Sequence, residues 1–205
     1  MKNSKSRTLY MVQMAVLLAV LLLMELTGLG MFKTAGLELT IMQVPVILGA
    51  IVLGPLAGAI LGLGFGLLAF WECFGKSIFG AALLQINPFY TFLVCVPTRM
   101  LMGYLCGLVF KAMDKKLAGT KTNFASYLVA ALSGALLNTI LFMGILVACF
   151  YRTAYIQGFV SQLGASNVLV FVLLFVGVQG LVEALLCATI GSSTSKALRY
   201  ALHKK

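Results

Sequence analysis

Apolar residues run almost unbroken through six stretches of this chain, and polar residues collect between them. The stretches read YMVQMAVLLAVLLLMEL, IMQVPVILGAIVL, PLAGAILGLGFGLLAFW, PFYTFLVCVPTRMLMGYLCGLVF, FASYLVAALSGALLNTILFMGILVACFY and NVLVFVLLFVGVQGLVEALLCATIG. None alternates apolar with polar residues, as the strands of a membrane barrel do, so each is read as a helix. In a bilayer every backbone N–H and C=O must bond within its own helix. The pattern predicts an all-α integral membrane protein, one domain over residues 1–205. Its six transmembrane helices are expected at about 8–29, 39–54, 56–73, 88–112, 125–151 and 166–200. Gly54-Pro55 divides the second from the third, because proline loses a donor and clashes with the preceding turn. One kinked helix through that joint is the competing reading. The first run is about 20 residues long and has no clear small-x-small cleavage pattern, so it reads as a retained helix, not a signal peptide.

Composition supports a bilayer as solvent. The chain is 61% hydrophobic and 10% charged, with a mean hydropathy of +1.06, against about 25% charged in a soluble domain. The net charge of +10 suggests nucleic acid until its distribution is considered. Lys2, Lys5 and Arg7 precede the first helix. Lys111, Lys115, Lys116 and Lys121 surround the 113–124 loop, and Lys196, Arg199, Lys204 and Lys205 close the chain. Basic residues at short loops mark the cytoplasmic side and attract anionic lipid. Both termini and the central loop are therefore placed in the cytoplasm, with the chain embedded in a cell membrane. The loops 30–38, 74–87 and 152–165 face outside, carrying only Lys33, Lys76 and Arg152. No nucleic-acid partner is expected.

The remaining chemistry excludes several classes. The lone histidine is His203, in the basic tail, and the five cysteines (Cys73, Cys95, Cys106, Cys149, Cys187) show no metal-ligand spacing. No metal site, cofactor or catalytic centre is expected. Without a nucleophile–base pair or paired carboxylates, an intramembrane enzyme is excluded.

The informative residues are the polar ones inside apolar runs. Arg99 sits deep in the fourth helix, where an unpaired charge costs at least about 2.5–3.5 kcal/mol. Either Glu183 pairs with it, or it stands in a pocket and recognises an anion through its planar fork. Asn138 and Gln179 are further intramembrane polar groups, suited to helix–helix hydrogen bonds or to a ligand. The segment WECFGKSIFGAALLQINPFYTF supplies Trp71, Glu72, Gln85, Asn87, Tyr90 and Thr91 near a helix start. Aromatic walls with a few amides and hydroxyls can hold a small polar metabolite, though such aromatics also form interfacial belts. Ala15 and Ala19, and Gly58, Gly62 and Gly66, repeat at four-residue spacing, which lets helices approach closely.

MQVPVILGAIVLGPLAGAILGLGFGL, INPFYTFLVCVPTRMLMGYLCGLVFKAM and SGALLNTILFMG resemble the substrate-binding S components of energy-coupling factor (ECF) vitamin transporters. The likeness runs over about residues 10–190, with VPVILGAIVLGP its most specific part. The pattern around GAALLQINPFYTFLVCVPTRMLMG looks closest to pantothenate-type members. The resemblance implies a high-affinity vitamin pocket near the outer face, built by the last three of the six helices and the outer loops. It also implies docking of the first helix, through Ala15 and Ala19, on a transmembrane T component. Two ATP-binding subunits would supply energy, and the whole subunit would topple in the membrane to carry the vitamin inward. The chain itself has no G-x-x-x-x-G-K-[ST] phosphate loop. Riboflavin, folate or another vitamin remain alternative substrates. A self-sufficient secondary transporter is the alternative function, although no internal repeat supports it.

Overall fold

A computed structural model describes residues 2–34, 37–116 and 123–203. Of the basic residues that set the expected orientation, Lys121, Lys204 and Lys205 lie outside these, as do the side chains of Lys2, Lys5 and Lys33. The chain runs through α1 (Lys2–Thr27), a hairpin of β1 (Met31–Thr34) and β2 (Leu37–Thr40), α2 (Gln43–Val52), α3 (Pro55–Glu72) and α4 (Ile78–Ile86). It continues through α5 (Pro88–Lys116), α6 (Asn123–Phe150), α7 (Ala154–Gln162) and α8 (Val168–Leu186), a π-helical turn (Cys187–Gly191) and α9 (Ser192–His203).

Among the described residues, four helices (α1, α3, α5, α6) are long and apolar enough to cross a membrane. A fifth span results if the pair Val168–Gly177 and Gln179–Tyr200, bent by 53°, is counted as one. The expected sixth span is the short α2. Its 10 residues rise only about 15 Å, half of a hydrocarbon core about 30 Å thick. Every residue from Gln43 to Ile51 is buried. Helix α2 packs against α1, α3, α5, α6 and α9, so its apolar surface meets protein all round. Gly54, with a φ of 103°, turns the chain and Pro55 starts α3, so the joint separates two helices. Such a φ favours glycine.

The expected outer loops also hold regular structure. β1 and β2 pair antiparallel, Met31 opposite Thr40. Ser77 caps α4 by accepting from the Gly80 N–H at 3.0 Å. Thr153 begins α7, its hydroxyl 3.5 Å from the Ile156 N–H, and the Asn167 side chain caps α8 by accepting from Val170 N–H at 2.9 Å. These short polar side chains satisfy donors that a helix start leaves open.

The tightest contact in the bundle joins α3 to α5. A Cβ on Gly58 would strike the Gly103 carbonyl, one on Gly62 the Arg99 carbonyl, and one on Gly66 the backbone of Cys95 and Val96. The glycine stripe of α3 therefore serves internal packing, and it holds the backbone of α5 at Arg99. Helix α1 is the least enclosed span. Met14 and Leu21 face inward, while Val12, Val16, Leu22, Leu23 and Leu26 are exposed, with Ala15 and Ala19 among them. The same exposure of leucines along α8 (Leu169, Leu173, Leu181, Leu185) is what a lipid-facing surface requires.

Candidate binding site

A cavity of about 120 Å³ opens between α3, α5, α6 and α8, under the hairpin and α4. Phe65, Phe142, Met143, Leu83 and Val176 form its apolar walls, and Glu72, Ser77, Arg99, Asn138, Gln179 and Glu183 its polar ones. It lies at the end of the bundle where the hairpin and α4 gather. A second cleft, lined by Lys111, Asp114 and Arg199, marks the opposite, basic end. There Arg199 pairs with Asp114 at 2.9 Å.

Arg99 is positioned by a defect in its own helix. Pro97 lies inside α5 and cannot donate to the preceding turn. The carbonyl left without a helical donor is that of Leu93, and in the adjoining turn side chains fold back onto the carbonyls of Val94 and Cys95. The Thr98 hydroxyl donates to Val94 O at 2.5 Å, and Arg99 Nη1 donates to Val94 O at 3.2 Å and Cys95 O at 3.1 Å. The guanidinium carbon sits 4.9 Å from the Phe65 ring centre and 5.3 Å from that of Phe142, a favourable arrangement for a cation. Its Nε is buried without a hydrogen-bond partner. Among the described residues, Arg99 has no acidic partner within 4.0 Å; the ion pairs are Glu25–Lys76 and Asp114–Arg199. The Nε N–H is thus an unused donor, of the kind that donates to a carboxylate bound side-on.

Glu183, the acid considered as a partner for Arg99, is engaged elsewhere. It accepts from the Thr40 N–H at 2.9 Å, from Gln43 Nε2 at 3.2 Å and from Gln179 Nε2 at 3.3 Å. One buried carboxylate thereby ties the end of β2 and the start of α2 to α8, and holds the hairpin over the cavity. At the rim, Glu25 of α1 pairs with Lys76 at 2.6 Å, beside Glu72. The hydrogen bond to the Glu25 carboxylate raises the Lys76 ammonium above its ordinary pKa.

Of the residues expected to bind a ligand, Arg99, Asn138 and Gln179 meet in this cavity. Trp71, Gln85, Asn87, Tyr90 and Thr91 do not line it. Trp71 is 66% exposed, Gln85 and Tyr90 are exposed, and Asn87 caps α5 by accepting from the Tyr90 N–H at 3.1 Å. Thr91 is buried and donates to the Asn87 carbonyl at 2.9 Å. Glu72, from the same segment as Trp71 and Gln85, does line it, and Thr40, Ser77, Thr139, Cys73 and Cys95 join the lining without having been singled out as binding residues. Their local signals are ordinary: helix ends, a cap, and small side chains in apolar runs.

A predominantly helical, multi-pass membrane protein with one arginine lining a cavity of mixed apolar and polar walls is the class that fold and site define. Residues 9–191 match the family described as ECF transporter, substrate-specific component, and the chain belongs to that family. A pantothenate transporter, PanT of Leuconostoc mesenteroides subsp. mesenteroides, is 31% identical over 144 residues, 67% of this chain and 67% of that protein. The family is a substrate-binding component of a transporter, not a catalyst.

Proposed function

We propose that this chain captures pantothenate in the cavity around Arg99 and delivers it to partner subunits for ATP-driven uptake. The supporting observation is the unused Nε donor of a guanidinium held between Phe65 and Phe142, with no acid in pairing distance. Pantothenate has one carboxylate, two hydroxyls and an amide. The carboxylate would meet Arg99, while Asn138, Gln179 and the acids Glu72 and Glu183 address the hydroxyls and amide. The pantothenate transporter among its relatives supports the same substrate.

The orientation belongs to this reading. With α2 counted as a short sixth element, the cavity end faces outward and the end bearing Lys111, Lys115, Lys116 and Arg199 faces the cytoplasm, with both termini. Exposed Ala15 and Ala19 offer a small-residue face on α1 for a T component, and two ATP-binding subunits complete the importer.

Titration of pantothenate into the purified protein tests the reading. Arg99→Ala is expected to weaken binding by about 2–5 kcal/mol, thirtyfold or more, as loss of one partner of a buried charge pair does. Arg152→Ala, on the exposed outer side, should leave it unchanged. Equal affinities for the two variants would remove Arg99 from the site. Uptake by vesicles holding this chain alone, without any ATPase, would favour a secondary transporter.

A further inference from the structure

Cys73 and Cys95 face one another with their sulfurs 4.0 Å apart. Both are buried, and both lie on the cavity wall. Nothing in the capture of a carboxylate calls for a thiol, still less for two. Their juxtaposition follows from the contact of α3 with α5. Gly66 admits the backbone of Cys95 and Val96, and two turns further on Cys73 ends α3 as its C-terminal cap. A disulfide needs sulfurs at about 2.05 Å, so the two must close by roughly 2 Å, within reach of side-chain rotation. The Cys73 thiol gives up one weak hydrogen bond, to the Ala69 carbonyl at 3.3 Å. The remaining cysteines, Cys106, Cys149 and Cys187, do not line the cavity.

We propose that Cys73 and Cys95 form a redox-reactive dithiol whose closure to a disulfide disables the cavity. The oxidant is a small organic disulfide entering from the cavity side. One cysteine thiolate attacks a sulfur of that disulfide, forming a mixed disulfide and expelling one thiolate. The second cysteine thiolate then attacks the protein sulfur and expels the other. The protein loses two electrons and two protons, and the external disulfide is reduced to two thiols. The consequence for binding runs through Arg99. Its Nη1 hangs on the carbonyls of Val94 and Cys95, and both thiols line the cavity, so rotating them into a cross-link reshapes the wall beside the guanidinium. This consequence rests on the reading of Arg99 given above, whereas the cross-link itself does not.

The test uses the full-length protein in detergent, treated with 2-hydroxyethyl disulfide. Intact mass and peptide mapping are read first, and pantothenate titration second. The expected result is a loss of two hydrogen atoms mapped to a Cys73–Cys95 cross-link. Affinity should fall by about tenfold or more and return with dithiothreitol. In a variant with both Cys73→Ala and Cys95→Ala, or both changed to serine if the first folds poorly, the oxidant should not change affinity. Cys149→Ala should remain sensitive. Absence of the cross-link, or mercaptoethanol adducts in its place, overturns the proposal, as does a cross-linked protein with undiminished binding. If the reduced protein fails to bind pantothenate, the substrate reading falls, while the mass and mapping data still decide the cross-link.

Discussion

Gly62 lies against the carbonyl oxygen of Arg99, leaving no room for a side chain between α3 and α5. The one deep arginine is therefore held by the residue opposite its own backbone. Gly62→Ala is expected to cost about 1–3 kcal/mol, as overpacking does, and to weaken ligand binding along with stability. Gly144→Ala meets no atom within 4 Å. It should be neutral or slightly stabilising through better helix propensity. Thermal denaturation of both variants in detergent, with ligand titration, checks the contrast.

Glu183 anchors the cavity roof through three donors, from Thr40, Gln43 and Gln179. Glu183→Ala leaves those donors without their acceptor, at a cost of about 1–3 kcal/mol. It should also free the hairpin, seen as faster proteolysis between residues 28 and 42. Glu183→Gln keeps the shape and one acceptor oxygen, so its loss should be smaller. Equal protease sensitivity in the alanine variant and the unmodified protein would show that the hairpin is held by something else.

The Glu25–Lys76 pair gives a pH dependence with a definite sign. The Lys76 pKa is raised by its hydrogen bond to Glu25. The stability it contributes is full below the unfolded lysine value, about 10.4. That contribution disappears as pH rises through the higher folded value. The Lys76 side chain is 51% exposed, so solvent screens the pair and the effect is small. Lys76→Met should melt slightly lower than the unmodified protein at neutral pH, and the two melting curves should converge in strong alkali.

On the outer face of α1, Ala15 and Ala19 lie among exposed leucines and valines. Ala15→Trp and Ala19→Trp are expected to abolish co-purification with a transmembrane partner subunit, because bulk keeps helices apart. Pantothenate binding should remain, since neither residue lines the cavity. Retained co-purification of both variants would move the docking face elsewhere.

Arg99, Asn138 and Gln179 were legible because polar groups stand out in apolar runs and are costly in lipid. Thr40 and Ser77 were not. Nothing local tells a cavity wall from an ordinary helix end, and these residues reach the cavity only through the pairing of distant segments. Ser77 and Thr153 did carry readable capping chemistry, yet the helices they start, α4 and α7, are nine residues each, too short for periodicity to announce.

The apolar runs by themselves determined the solvent, the helical class and four of the spans, since backbone polar groups in lipid have no other helical-run solution. The family likeness was carried by the same residues. Only the folded chain decided that α2 is buried on every side, that Arg99 keeps an unused Nε donor while Glu183 is taken up by the hairpin, and that two cysteines meet. In a membrane, the inside and the outside of a helix are equally apolar. The pattern that reveals a span is therefore silent about which neighbour each face will touch, and packing alone supplies that answer.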